Sequence, residues 1–314
     1  MFADDLKLVV NTDKNYINDD IALLEKWEEA WLLKFNPTKC KYLHIDKNNN
    51  PKNSYKINGV EMQGVEFECD LGLHTDNKLN WDDHIRNSIA KANKMIAWIA
   101  RNVISRDMQV MLLLYKTVIR PHLEYCVQVW SPTACCGSWP TIIQLENVQR
   151  KYTRLIDEVG LLPYSERLAK LKLTTLAERR LRGDLIETFK INNGVVDYGS
   201  KLFKWSHSRL NIVTRTHGKG EKGNVRKAFF SERVRPYWNK LPTSVKKSKN
   251  VEQFKVNLAK FKTANIYESG NYWEVSNELI GKIEHAGYLS NKNSFNSYVL
   301  SHPSYARRHG YNTQ

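Results

Sequence analysis

Two adjacent carboxylates, Asp4 and Asp5, stand at the head of the run Leu6-Lys7-Leu8-Val9-Val10. Paired oxygen donors of this kind can hold hard divalent ions beside phosphates, as phosphoryl transfer requires. An Ala-Asp-Asp tripeptide also serves as an acidic turn or a helix cap, so its surroundings decide. The alternation of Leu6, Leu8 and Val10 predicts a strand, which would present the pair at a tight turn on a sheet edge. Placed there, Asp4 could bind Mg²⁺ bridging a triphosphate, with Asp5 supporting it or a primer end. Lys39, in Asn36-Pro37-Thr38-Lys39-Cys40, is the second candidate. A lysine at the mouth of a strand can neutralise or protonate departing pyrophosphate, and a solvated turn lysine fits the same spacing.

The elements that would position these groups follow from periodicity. Ile17, Ile21, Leu24 and Trp31 fall on one face of a helix, with Asn18 or Asp19 as cap and Glu25, Lys26, Glu28 and Glu29 on the wet side. A turn at 35–39 leads into a strand over 40–45. A polar loop at 46–56 precedes short strands near 55–57, 60–62 and 65–69. From Trp81 the pattern is helical: Ile85, Ile89, Ala92, Ile96 and Ile99 step by 4, 3, 4 and 3. Further helices are expected over 107–119, closed by Arg120-Pro121, and over 141–157. Another runs from the capping box Thr175–Glu178 to Ile191. Short helical segments follow near 229–240 and 251–262. Residues 131–140 read as a loop, Gly218–Gly223 as a basic turn, and residues 263–314 lack periodicity.

Charge divides the 314 residues unevenly. Residues 1–80 carry 10 Lys/Arg against 14 Asp/Glu, residues 81–262 carry 34 against 15, and residues 263–314 carry 4 against 4. An acidic piece joined to a strongly basic one fits a metal-bearing part beside a part that grips a polyanion. Arg86, Lys91 and Lys94, then Arg150, Lys151 and Arg154, then Arg179, Arg180 and Arg182 are the expected nucleic-acid contacts. Trp98, Tyr115, Tyr125, Trp130, Trp139, Tyr152, Trp205, Tyr237 and Trp238 are interleaved with them, and helical spacing fits core rings as well as base platforms. Five cysteines, without a CxxC or a secretory signal, point to a reduced intracellular protein, and His122, Cys126, Cys135 and Cys136 match no zinc finger. No apolar run is long enough to cross a bilayer.

Taken in order, these blocks resemble the reverse transcriptase of non-LTR (LINE-type) retrotransposons, the jockey-like group most of all. Phe2-Ala3-Asp4-Asp5-Leu6-Lys7-Leu8 is similar to the catalytic F/Y-A-D-D segment. Trp27–Trp31 with 36–40 resembles the helix and lysine turn that follow it. Leu71-Gly72-Leu73, with Leu79-Asn80-Trp81 and His84-Ile85, resembles the primer-grip hairpin and thumb entry. The blocks continue through Val118–Tyr125, Val129–Pro132, Glu146–Arg150, Tyr164–Leu168, Arg179–Asp184 and Trp238–Pro242, so that the likeness covers residues 1 to about 262.

The resemblance implies an α+β fold. Residues 1–80 would be the C-terminal part of a palm, truncated to a β-hairpin, helix and strands. Residues 81–192 would be a basic, mostly helical thumb-like domain, residues 193–262 a basic extension and 263–314 a poorly ordered tail. It implies Mg²⁺ on Asp4 and Asp5, a phosphate-side role for Lys39 and a primer grip at Leu71 and Gly72. An RNA template, a DNA primer or target, and dNTP would be the partners of the intact polymerase, without a membrane. Cytoplasmic synthesis and action in the nucleus are expected. Asp70 stands where the family has an aromatic residue before Leu-Gly. Fingers and the first catalytic aspartate would lie before Met1, so the isolated chain is expected to lack polymerase activity. The alternative is an RNA- or DNA-binding remnant without catalysis.

Overall fold

The computed structural model describes residues 6–10, 17–45, 54–132, 139–196, 202–213, 226 and 228–262. The fold is mixed helix and strand, with helix dominant and the strands few and short. The chain forms two compact units, Met1–His84 and Ile85–Gln314.

In the first unit, helix α1 (Ile17–Trp31) carries Asp19 and Asp20 in its first turn, where carboxylates favour the positive end of the helix dipole. Strand β1 (Lys41–Leu43) pairs in parallel with β4 (Gln63–Val65). Strands β2 (Lys56–Ile57) and β3 (Val60–Glu61) form a hairpin around Asn58-Gly59. Both turn residues have positive φ, 51° and 76°, the conformation for which Asn-Gly is the preferred pair in two-residue hairpins. Strands β5 (Phe67–Asp70) and β6 (Leu73–Asp76) form a second hairpin with Asp70 opposite Leu73. The core here is small: Ile21, Tyr55 and Ile57, flanked by partly buried Ile17, Phe35, Cys40, Tyr42 and Met62.

Three expectations change in this unit. Leu6–Val10 forms no strand, and Leu6, Leu8 and Val9 are exposed. Alternation supplies one apolar face, yet a strand needs ladder partners for its N–H and C=O groups. Trp31 is 67% exposed. Glu28, expected on the wet face, is buried and accepts Asn58 Nδ2 at 2.9 Å, while Glu25 accepts the Asn58 backbone N–H at 2.6 Å. The two glutamates tie α1 to the β2–β3 turn.

In the second unit, α2 (Asp82–Asn102, its first residues in the first unit) buries Ile85, Ala92, Ile96 and Ile99. Arg106 closes it by donating to the carbonyls of Val103 and Ala100 at 2.6 and 2.7 Å. Asp107 caps α3 (Met108–Leu114) by accepting the Gln109 and Val110 N–H groups. The helix does not end at Arg120-Pro121. One π turn (Tyr115–Ile119) intervenes, and Pro121 sits in the first turn of α4 (Arg120–Glu124), where its missing N–H costs least. Then come α5 (Val127–Trp130), α6 (Trp139–Thr153), α7 (Tyr164–Leu171) and α8 (Leu176–Asn192). Helix α6 begins inside the expected loop at 131–140. Thr175 accepts the Glu178 N–H at 3.2 Å at the start of α8.

Helix α8 is the axis of this unit. It packs on α5, α6, α10 (Arg235–Lys240) and α12 (Val251–Lys262); between and around these lie α9 (Phe230–Arg233) and α11 (Thr243–Lys246). Leu181, Leu185, Phe189 and Ile191 share one core with Phe203, Ile212, Phe230, Val234, Trp238 and Phe254. Residues on both sides of the expected boundary at 192/193 therefore pack together. Phe189 and Phe254 stack at 4.4 Å between centroids, and Trp238 donates its Nε1–H to Leu210 O at 3.2 Å.

Candidate nucleic-acid interface

Asp4 and Asp5 lie outside the described residues, and the structure begins beside them. Lys7, three residues beyond Asp4, ion-pairs with Asp70. The segment next to the carboxylate pair is thus held to the β5–β6 hairpin, whose tip is Leu71-Gly72. Both tip residues have positive φ, 46° and 81°; glycine adopts this freely, whereas for Leu71 it is strained. Leu71 is exposed. Asp70, the residue that departs from the family pattern, is the partner of Lys7.

Lys39 is exposed in a turn that Asn36 organises. Asn36 Oδ1 accepts the Thr38 N–H at 3.1 Å and its hydroxyl at 2.7 Å, and the Asn36 carbonyl accepts the Lys39 N–H at 3.0 Å. Just beyond it Lys41 pairs with Glu68 of β5 at 2.9 Å. The lysine turn and the hairpin are therefore joined through β1 and β5. Among the described residues no group of three His, Cys, Asp or Glu side chains could hold a metal ion.

The cations of the second unit divide by environment. Arg86, Lys91, Lys94, Lys151, Arg154 and Arg182 are exposed, and Arg150 is half-buried. Arg179 forks onto Glu124, with Nη2 to Oε2 at 3.0 Å and Nε to Oε1, and that bond raises its affinity for the proton. Arg180 is 2% exposed, and its charge favours the ionised forms of Glu146 and Asp184. Of the expected contacts on α8, Arg182 lies on the surface. Arg180 is a core group, because α8 is packed on several sides and its second arginine points inward to buried carboxylates.

The rings sort likewise. Tyr115, Trp130, Tyr152 and Trp238 are core residues. Trp205 and Tyr237 are partly buried against the core. Trp98 and Tyr125 are exposed, at 51% and 55%. The side chain of Trp139 lies outside the described residues.

Sequence reasoning missed a buried polar network between α6, α7 and α8. Tyr115 Oη donates to Gln149 Oε1 at 2.5 Å, Gln149 Nε2 donates to Tyr164 Oη at 2.8 Å, and Tyr164 Oη donates to Glu146 Oε1 at 2.5 Å. Glu146 Oε2 accepts the Leu176 N–H at 2.9 Å, closing the first turn of α8 with a buried carboxylate. Burial holds the Glu146 carboxyl above its ordinary range, opposed by the Tyr164 bond and by Arg180. Below it, Arg233 joins Asp184 to the carbonyls of Val127 and Gln128 at 3.0 Å each. Glu146-x-x-Gln149 at helical spacing was the available signal, since both side chains share the apolar face of α6. The network ties these helices together.

Among the described residues no helix is long and apolar enough to cross a membrane. Compared with protein-family models, curated proteins and solved structures, the chain has no match.

Proposed function

We propose that this chain is the palm end and thumb-like region of a non-LTR retrotransposon reverse transcriptase, an RNA-directed DNA polymerase. The ordered series of sequence blocks from Phe2 to Pro242 carries the reading, since no single block is specific. Two features of the structure support it. The segment flanking Asp4 and Asp5 is tied through Lys7–Asp70 to the hairpin that resembles a primer grip. The helical unit presents exposed cations on α2, α6 and α8.

In this reading Asp4 and Asp5 supply part of the Mg²⁺ site. Two adjacent carboxylates are suitable hard donors, and the family draws a further aspartate from another strand. Bound Mg²⁺ would polarise phosphoryl oxygens and lower the pKa of the attacking hydroxyl. Lys39 would face the pyrophosphate side, Leu71 and Gly72 the primer, and the basic helices the template–primer backbone. No block of the chain resembles the family segment that carries that further aspartate, so in this reading the chain alone binds primed template without extending it.

Primer extension on primed RNA with Mg²⁺ and dNTPs tests the catalytic half. No template-dependent product is expected, and product lost in Asp4→Ala would show that these residues hold a complete site. The second reading, nucleic-acid binding without catalysis, draws on the same exposed cations. Salt-sensitive binding indifferent to Asp4→Ala and Asp5→Ala, with or without Mg²⁺, favours it.

A further inference from the structure

We propose that the outer face of α2 is a binding site for single-stranded nucleic acid, with Trp98 as its base-stacking platform. The core-facing residues Ile85, Ile89, Ala92, Ile96 and Ile99, buried except for the half-buried Ile89, step by 4, 3, 4 and 3. Asn87, Lys91, Lys94, Trp98 and Arg101 repeat that rhythm two positions later, roughly 200° around the helix. They therefore form the face opposite the core, and each except Asn87 is a cation or an indole. All five are exposed. Asn102 folds back to donate to the Trp98 carbonyl at 2.8 Å, a main-chain contact that leaves the indole at the surface.

Charge complementarity selects the occupant. No Asp or Glu occurs between Asp83 and Asp107, so beyond its first turn, which carries Asp82 and Asp83, the helix has no carboxylate to compensate the cations of the stripe. From Lys91 to Arg101 it runs about 15 Å along the axis. Lysines flanking an exposed indole suit a chain that alternates phosphates with flat apolar rings. A duplex offers the phosphates and hides the ring faces in its stack; a single strand offers both. A purely apolar protein partner would leave Lys91, Lys94 and Arg101 desolvated and unmatched.

A helix that grips nucleic acid is the part of the proposed function on which the role of Trp98 rests. The test titrates the full chain with oligo-U, oligo-dT and a blunt DNA duplex at several salt concentrations. Trp98→Ala is expected to weaken both single strands roughly ten-fold while sparing the duplex and the salt slope, because stacking is not ionic. Trp98→Phe should restore most of the loss, and Lys94→Ala should flatten the slope. Trp98 is exposed, so a thermal melt superimposable on the parent checks that the fold is intact. Single-strand affinity unchanged in Trp98→Ala overturns the proposal, as does equal weakening of single strand and duplex. Recessed RNA–DNA hybrid bound normally in either case leaves the broader reading standing. Absence of binding to any nucleic acid overturns both.

Discussion

Arg233 and Asp184 form a buried ion pair, Nε to Oδ2 at 2.9 Å and Nη2 to Oδ1 at 3.0 Å, with side chains 5% and 4% exposed. The same guanidinium serves the Val127 and Gln128 carbonyls, so one side chain fastens α9 to α8 and to α5. Arg233→Met would strand a carboxylate in the core and leave two carbonyls without this donor. We expect a loss of about 3–5 kcal/mol in urea unfolding. Replacing both partners, Arg233→Met with Asp184→Leu, should cost less than the single change. A single-variant loss below about 1 kcal/mol would remove the pair from the account of the fold.

Glu146 sets a pH dependence. Burial holds its folded-state pKa above the unfolded value near 4.5, so between the two the folded state binds more protons. Stability then falls as pH rises through that window, the reverse of the usual salt-bridged carboxylate. Glu146→Gln keeps an acceptor for the Leu176 N–H and an amide that Tyr164 can meet. Its urea midpoint should lack this component of the pH dependence. Parallel midpoint-versus-pH curves for the two proteins would contradict the assignment.

Neighbouring arginines on α8 should behave differently. Arg180→Ala removes a favourable charge from buried Glu146 and one of two from Asp184, and should lower the melting temperature markedly. Arg182→Ala should leave the melt unchanged. If Arg182 meets a phosphate, its loss reduces the salt slope of binding by about one. A melt lowered equally by both changes would show that the surface and core assignments are wrong.

Lys7 and Asp70 are 62% and 35% exposed, so their pair contributes little stability. It is nonetheless a proximity that chemistry can read. A carbodiimide should join the Lys7 amine to the Asp70 carboxyl, found as one cross-linked peptide by mass spectrometry. Lys41–Glu68 provides the internal control. Recovery of the control link without Lys7–Asp70 would detach the Asp4–Asp5 flank from the hairpin.

Helices with a strong period were legible from the sequence: α2 through its isoleucine rhythm, α8 through Thr175–Glu178, and the 251–262 helix through its apolar face. The short strands near 55–57 and 60–62 were legible, and Asn58-Gly59 was the available signal for the turn that joins them. What failed depended on partners far along the chain. Leu6–Val10 alternates like a strand and has no ladder partner among the described residues. The helix running into Arg120-Pro121 continues because a π turn absorbs the proline. Helix α7 hid behind Pro163, which reads as a stop and here precedes a start. In the candidate interface, charge counting included Arg179 and Arg180, whose carboxylate partners lie on other helices or one turn along α8. Trp98 was indistinguishable from a core ring until the face of α2 that carries it was known.

The most direct test of the central claim is equilibrium binding of the chain to an RNA–DNA primer–template with a recessed 3′ end. A blunt DNA duplex of equal length and heparin serve as comparisons. The reverse-transcriptase reading expects log affinity to fall linearly with log salt and the recessed hybrid to bind more tightly than either comparison. Heparin or blunt duplex bound as tightly as the recessed hybrid, or no salt-sensitive binding at all, would contradict it.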